Sequence, residues 1–422
     1  MLRFASSPTS DMHIGNLRVA IFNYIVSCQK SEDLLIRIED TDTQRNIEGK
    51  DQEILDLLAL FGIEYSHVVY QSQNFRFHSA MALQLMHEKK AFSCFCSPEW
   101  IEKKKGEAIE HGVAYRYDDA CANLPAELVI DNMNPFSIRI KKSEKPIVIR
   151  DYIKGEISFA SDELESFVIM NQDKTPTYNF ACAVDDMLSD ISLVIRSEEY
   201  INNTPKQELV RRSLGYDKKI EYAHIPTILG DTPSVKWLLE EGYLPSSISN
   251  YLISIGNKSE KDIFTIQEAI EWFQLEDVSA SPTRFEIDKL KFINRQHLKN
   301  LDAKELSRYV GFADAEIGEL AKIYLEEVYT TKELRAKIKP IFEPKNIPPK
   351  FEKQAFGMFA VIAEAPYFEE YNDFKNYLMK ETGLKDENFM QPLRILLTGA
   401  KDGPEIADLY KYLKNYIGEI VR

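Results

Sequence analysis

The chain has 422 residues, which is long for a single hydrophobic core and predicts two to four domains. Hydrophobic residues make up 44% of it and charged residues 28%, an ordinary balance for a globular protein. The sequence has no run of about 18 apolar residues, so we expect no membrane span, and the net charge of −15 argues against a protein that coats nucleic acid indiscriminately.

The N-terminus and the cysteines predict a cytoplasmic location. Residues 1–5 have the pattern of a strand that enters a fold at once, and they lack the features of a signal peptide. The five cysteines are an odd set, which is typical of a large chain in a reducing compartment.

The first forty residues predict a β-α-β unit. Leu2–Ser6 is a short apolar strand, residues 7–11 have turn chemistry, and apolar positions recur at helical spacing from Gly15. Residues 34–38 form a second strand that ends in acidic residues. A unit of this kind opens a nucleotide-binding α/β sheet.

The later segments change character twice. Residues from about 73 to 172 predict an inserted α+β module, with helical and strand-like segments at 77–89, 98–110, 136–141, 146–150 and 156–159. The α/β character returns from Thr177, with a strand at 191–195, and we expect only helices beyond about residue 234. Thr265–Glu268 is a capping box that starts one of these helices.

The strongest motif lies where the first strand leads into the first helix, from Arg3 to Asn16, and reads RFASSPTSDMHIGN. A helix N-terminus presents unpaired N–H groups and a partial positive charge, which suits the phosphates of a nucleoside triphosphate. Gly15 lets a base or ribose approach the backbone, and His13 and Asn16 can donate hydrogen bonds to phosphate oxygens. The alternative is a helix start at which His13 only caps or packs.

Two further motifs follow the strands of the predicted sheet. RIEDTD begins at Arg37, and Glu39 within it is a candidate acceptor for a substrate ammonium group because ligands bind at the carboxyl ends of parallel strands. The alternative is a solvated acidic turn. A later cluster contains Tyr178, the pair Asp185–Asp186 and Arg196, for which the alternative is a structural salt bridge from Arg196 to a nearby glutamate, Glu198 or Glu199.

Together these motifs resemble those of the bacterial glutamyl-tRNA synthetases, which are class I aminoacyl-tRNA synthetases. The first resembles the H-I-G-H signature in a form that ends in Asn, the second resembles R-I-E-D-T-D, and the third resembles P-T-Y…V-D-D…V-I-R-G-E-D-H. The resemblance implies an α/β fold: a class I Rossmann-type catalytic domain with an α+β insertion, followed by an all-α C-terminal region.

The resemblance also implies five segments. These are the first half of the catalytic domain, an acceptor-arm module, the second half of the catalytic domain, a stem-contact helical region and a helical anticodon-binding domain, at 1–72, 73–172, 173–233, 234–305 and 306–422.

Site residues are carried over position by position. The resemblance implies that Arg3 and Arg196 hold the side-chain carboxylate of glutamate, and that Tyr178 and Glu39 hold its α-amino end. It implies catalytic roles for His13 and Asn16, ATP binding by Ser7, His13, Gly15 and Asn16, and substrate binding that also includes Ala5 and Ser7. Two arginines suit one carboxylate because bidentate, charge-assisted hydrogen bonds are strong and directional.

The implied reaction uses ATP with Mg²⁺ to activate L-glutamate and transfers it to the 3′ end of tRNA(Glu), with tRNA(Gln) open as a second acceptor. We expect a monomer that does not bind membranes. Two other functions remain open: a catalytically impaired paralogue that binds tRNA, and a relative that transfers glutamate to a modified tRNA base. That relative lacks the helical tail, whereas this chain continues through 306–422.

The cysteines of the predicted insertion form half of a metal motif. Some relatives carry a zinc site there, and here Cys94-x-Cys96 is followed by Cys121-x-Asn123. Structural zinc needs four good ligands, and Asn123 stands where a histidine or cysteine would complete them. His111 or Asp118 would have to substitute, and no spacing favours either. We therefore predict no metal and three free thiols.

The chain departs from the family pattern at three places. Ser6 and Ser10 replace a proline and a glycine. After Gly230 about ten residues are missing by comparison with the family, and they include the K-x-S-K-R motif, whose mobile lysine would hold the triphosphate. Either the protein lacks this loop, or the printed sequence omits a mobile segment of the natural chain. We expect the second, because the motifs around the gap are intact.

Overall fold

A computed structural model describes residues 1–113, 115–259 and 261–421. The chain forms two compact units. The first contains residues 1–235 and 252–285, and the second contains residues 236–251 and the chain from 286 onward. Within the described ranges, no helix is both long and apolar enough to cross a bilayer.

The strands occur in the first 285 residues. They are β1 (Leu2–Ser6), β2 (Leu34–Ile38), β3 (His67–Tyr70), β4 (Ala91–Cys94), β5 (Ser137–Ile140), β6 (Ile147–Asp151), β7 (Gly155–Phe159), β8 (Phe167–Met170), β9 (Leu193–Ser197), β10 (Glu221–Ile225), β11 (Ile228–Leu229) and β12 (Thr283–Arg284).

Helices are interspersed with these strands and, among the residues that the structure describes, continue without further strands after β12. They are α1 (Ile14–Lys30), α2 (Lys50–Leu60), α3 (Phe75–His87), α4 (Pro98–Glu110), α5 (Ala126–Ile130), α6 (Tyr178–Leu188), α7 (Thr204–Ser213), α8 (Val235–Glu240), α9 (Pro245–Ser254), α10 (Ile266–Trp272), α11 (Ile287–Asn300), α12 (Ala303–Val310), α13 (Ala315–Ile323), α14 (Thr331–Phe342), α15 (Glu352–Ala363), α16 (Tyr371–Thr382), α17 (Glu387–Thr398), α18 (Ile406–Leu413) and α19 (Ile417–Ile420).

A seven-stranded sheet organises the first unit, in the order β3-β2-β1-β9-β10-β6-β7. All neighbours are parallel except β6 and β7, which form an antiparallel hairpin at one edge. Every residue of β2 is buried, as expected for a central parallel strand covered on both faces. The predicted opening unit is therefore confirmed as β1, α1 and β2, with β1 and β2 in parallel register.

The segment predicted as an insertion is divided between two sheets. β4, β5 and β8 form a separate three-stranded sheet, whereas β6 and β7 extend the main sheet through the pairing of β6 with β10. The expectation of helices alone beyond residue 234 is wrong at β12, which pairs with β11. The two compact units also divide the predicted region 234–305, because residues 252–285 belong to the first unit.

The second unit packs amphipathic helices around its own apolar core. Buried side chains from α12 to α18 form one continuous cluster, in which Leu320, Leu334 and Leu393 are almost completely excluded from solvent. The capping box predicted at Thr265–Glu268, in the first unit, is confirmed: the Thr265 hydroxyl accepts from Glu268 N, and the Glu268 carboxylate accepts from Thr265 N.

Candidate functional site

Polar side chains collect at the carboxyl edge of the main sheet. Neighbouring strands bring them there in register: Ala5 of β1 lies beside Arg37 of β2, and Arg196 of β9 lies beside His224 of β10. Glu39 follows directly after β2, and its backbone N–H donates to the carbonyl of Ser6. Parallel α/β sheets bind ligands at this edge, and two neighbouring cavities open there.

The larger cavity, which we call the arginine cavity, measures about 470 Å³. It brings together residues that are up to 200 positions apart in the sequence, from Arg3 to Asn203. All six predicted substrate-binding residues line it: Arg3, Ala5, Ser7, Glu39, Tyr178 and Arg196.

The smaller cavity, which we call the α1 cavity, measures about 320 Å³ and lies at the start of α1. Of the four residues predicted to bind ATP, His13, Gly15 and Asn16 line this cavity, whereas Ser7 lines the arginine cavity. The two cavities share four lining residues, Asn16, Val19, Ser197 and Tyr200. A ligand in one cavity would therefore lie next to a ligand in the other.

His13 does not act as a simple helix cap. It occupies the N-cap position of α1, but its side chain makes no capping hydrogen bond and is exposed at the cavity. Its Nε2 atom lies 3.2 Å from the Thr232 hydroxyl. A Cβ atom added at Gly15 would meet nothing within 4 Å, so the space above this glycine is open to a ligand.

The RIEDTD motif separates into structural and cavity-facing residues. Asp40 accepts from the backbone N–H and the hydroxyl of Ser72, at 2.8 and 2.6 Å. Asp42 pairs with Arg45 on the surface, as in the solvated turn that was the alternative. Glu39 instead faces the arginine cavity and accepts from Arg37 Nη2 at 3.3 Å.

Arg3 shares a buried carboxylate with a second arginine. Asp186 Oδ1 accepts from Arg37 Nη1 at 2.5 Å and from Arg3 Nε at 3.3 Å. Burial alone would raise the pKa of Asp186, but Arg37 and Arg3 lower it far below its ordinary value. Asp186 is therefore ionised, and it compensates part of the positive charge of Arg3.

Arg196 is held differently, by neutral acceptors. Its Nε lies 3.2 Å from His224 Nε2, its Nη1 donates to Gln207 at 2.9 Å, and its Nη2 donates to Thr204 at 2.6 Å. Among the described residues no carboxylate oxygen lies within 4.0 Å of this guanidinium. The salt bridge to a neighbouring glutamate is thus wrong for Glu198, which pairs with Lys154 at 2.6 Å.

Sequence reasoning did not find the residues behind Arg196. His224, Thr204 and Gln207 are buried and surround the guanidinium from β10 and α7. A signal was present, because a histidine inside the apolar strand β10 must be paired to be buried without a large cost. Tyr200, which lines both cavities, was also missed.

The three cysteines of the predicted metal motif do come together. Their sulfur atoms all lie within 4.8 Å of one another, and the Tyr117 hydroxyl lies 3.4 Å from Cys94 and 3.6 Å from Cys96. These contacts serve as hydrogen bonds among free thiols, and the three sulfur atoms could also supply three of the four ligands that a structural zinc needs. The prediction of free thiols remains a prediction, which the zinc content of the purified protein would test.

Comparison with known proteins identifies the family. The catalytic-domain model of the class I tRNA synthetases (E and Q) matches residues 1–292. Glutamate–tRNA ligase 2 of Sulfurimonas denitrificans is 67% identical, and glutamate–tRNA ligase 1 of Nitratiruptor sp. is 51% identical, each over the whole of both chains. The crystal structure of a glutamate tRNA ligase from Elizabethkingia meningosepticum in complex with its amino acid matches with a TM-score of 0.82, at 25% identity, covering 100% of this chain and 99% of that one.

The alignments also bear on the short connection after Gly230. Both relatives align over 432 positions, ten more than the 422 residues of this chain. The extra positions agree in number with the segment that the family pattern places between β11 and α8. The match to the family model covers well over half of the chain, and the relatives match it from end to end. The chain therefore belongs to the class I tRNA synthetases of the glutamate and glutamine group.

Proposed function

We propose that this chain activates L-glutamate with ATP and transfers the glutamyl group to the 3′ end of tRNA(Glu). One observation carries the amino-acid assignment: two buried arginines, a glutamate and a tyrosine face one cavity beside the start of α1. The full-length relatives named as glutamate–tRNA ligases support the same reaction.

The reaction follows from the proposed placement of two substrates. An oxygen of the glutamate α-carboxylate attacks the α-phosphorus of ATP, and pyrophosphate leaves. The terminal ribose hydroxyl of tRNA then attacks the carbonyl carbon of the adenylate, and AMP leaves. The first step needs no general base, because the carboxylate is already ionised at neutral pH. Catalysis is therefore mainly positioning and charge stabilisation.

His13 and Asn16 act on the phosphates in this proposal. Both line the α1 cavity, where the first N–H groups of α1 add a partial positive charge. Their donors stabilise negative charge as the bond to pyrophosphate breaks. Magnesium enters with the triphosphate as part of the substrate.

Arg196 and Arg3 select glutamate over glutamine. Arg196 has a buried guanidinium that no carboxylate of the described residues pairs with, so the γ-carboxylate of glutamate supplies the missing charge. The neutral amide of glutamine would leave that charge uncompensated, which can discriminate by on the order of 10⁴ without editing. Glu39 and Tyr178 receive the α-amino end.

Pyrophosphate exchange by the natural full-length protein, with tRNA present, tests the proposal. We expect exchange with glutamate and very little with glutamine. Comparable exchange with both amino acids would contradict the two-arginine argument. Absence of exchange, with tRNA binding retained, would favour the impaired tRNA-binding paralogue.

The finer assignments concern the oligomeric state, the location and other acceptor RNAs. We infer a monomer in the cytoplasm, the latter because none of the five cysteines, all of which the structure describes, forms a disulfide. Charging of tRNA(Gln) is a separate question, which aminoacylation of each purified tRNA would answer. Transfer to a modified tRNA base is not favoured, because full-length relatives that share the helical C-terminal region are named as tRNA ligases.

A further inference from the structure

We propose that His224, oriented by Asp151, is a positioning residue that presents the guanidinium of Arg196 to the glutamate side chain. This inference rests on the proposed role of Arg196 in the arginine cavity. Neither His224 nor Asp151 lines that cavity, so both would act through Arg196 and without touching the substrate.

The carboxylate of Asp151 accepts four hydrogen bonds, all from N–H donors. Oδ1 accepts from the backbone of Ile153 and Lys154, at 2.9 and 2.8 Å. Oδ2 accepts from the backbone N–H of His224 at 3.0 Å and from its Nδ1 at 2.6 Å. An ionised carboxylate satisfies all four donors, and its pKa is lowered because the bond from His224 and the backbone bonds outweigh its burial.

These contacts determine the tautomer of His224. Because Asp151 can only accept, Nδ1 carries the proton. Burial and the nearby Arg196 lower the pKa of His224, so the ring is neutral and Nε2 has an acceptor lone pair, which the Thr204 hydroxyl also approaches, at 3.0 Å. Arg196 Nε, which can only donate, lies 3.2 Å from that lone pair. Tyr222 packs parallel to the ring, with 5.7 Å between centroids, and holds its plane.

The neighbours of Arg196 also leave its positive charge uncompensated. His224, Thr204 and Gln207 direct all three nitrogens of Arg196 without contributing a negative charge. A carboxylate in the place of His224 would orient the guanidinium equally well, but it would compete with the substrate. Asp151 contacts His224 on the side of the ring away from Arg196. Its charge therefore orients the imidazole, while the charge of Arg196 stays available to a ligand.

The two nitrogens of His224 can be tested separately. His224→Asn keeps an amide N–H near the position of Nδ1 and removes the acceptor at Nε2, whereas His224→Gln places an amide oxygen near Nε2. We expect His224→Asn to raise the KM for glutamate roughly 10- to 100-fold, as for loss of a hydrogen bond to a charged group. His224→Gln should recover most of this loss. The KM for ATP should change by less than about twofold in both variants.

His78→Phe is the matched control. His78 is a buried histidine of the same unit, its Nε2 lies 2.8 Å from a carboxylate, that of Asp185, and it lines neither cavity. We expect its KM for glutamate to stay at the wild-type value even where the variant is less stable. A general loss of stability would instead affect His78→Phe and both His224 variants alike.

Arg196→Ala separates the two levels of the proposal. If it raises the KM for glutamate strongly while His224→Asn does not, the role of His224 is wrong and the pocket assignment stands. Equal losses in His224→Asn and His224→Gln would also overturn the acceptor role. An unchanged KM for glutamate in Arg196→Ala would overturn the pocket assignment, and the role of His224 with it.

Discussion

At the level of single residues, His13 is the simplest test of the ATP site. Its side chain is exposed at the α1 cavity and caps nothing, so its removal should cost little stability. We expect His13→Ala to lower kcat in pyrophosphate exchange by roughly 10²–10³, the usual effect of losing one donor to a developing charge. His67→Ala, an exposed histidine outside both cavities, is the control. Wild-type turnover by His13→Ala would exclude the role.

Asp186 makes the free energy of unfolding depend on pH. Its lowered folded-state pKa contributes stability above the unfolded-state pKa of about 4, and this contribution is lost as the pH falls. We expect Asp186→Asn to lower the free energy of unfolding by about 3–5 kcal/mol at pH 7, because two buried arginines lose their carboxylate.

The difference between wild type and Asp186→Asn should shrink as the pH is lowered from about 5 toward 3. Urea denaturation across this range measures it. Asp217→Asn, at an exposed position of the same unit, should match the wild type throughout. A difference between Asp186→Asn and the wild type that stays constant with pH would contradict the proposed ionisation.

At the level of helices, Gly318 allows α12 and α13 to approach each other closely. A Cβ atom at this position would lie 1.7 Å from the carbonyl oxygen of Ala303, so the helices would have to separate. We expect Gly318→Ala to lower the free energy of unfolding of the second unit by about 1–3 kcal/mol or more.

Gly357 in α15 provides the same substitution without the clash. A Cβ atom there would meet nothing within 4 Å, so Gly357→Ala should stabilise the helix by about 0.5–1 kcal/mol. Thermal unfolding of both variants measures the contrast. If the two alanines had the same effect, the close contact between α12 and α13 would not contribute to stability.

At the level of the whole molecule, the connection between β11 and α8 decides whether the site can turn over. We expect the natural protein to be longer than 422 residues by about ten, in line with its relatives. Its intact mass should therefore exceed 48.7 kDa. A protein limited to the printed 422 residues should form adenylate at least about 10²-fold more slowly, because the triphosphate loses a cationic contact. An intact mass of 48.7 kDa, or equal rates, would contradict this expectation.

The sequence by itself determined the family, the opening β-α-β unit and part of the lining of the two cavities, because short motifs such as that from Arg3 to Asn16 are characteristic of the family. The start of α10 was also predictable, because the capping box at Thr265–Glu268 provides hydrogen-bond partners for backbone N–H groups within one turn. Contacts of this kind depend on neighbours a few residues away.

Only the tertiary structure decided how the two arginines differ. Arg3 shares Asp186 with Arg37, whereas Arg196 is surrounded by neutral acceptors, and these partners are brought together by the pairing of β9 with β10 and the packing of α7. Likewise, β6 and β7 join the main sheet because β6 pairs in parallel with the edge of β10 that β9 does not cover. Which sheet a strand joins depends on residues that are far apart in the sequence. The local pattern does not predict it, because apolar strands of similar length fit either sheet.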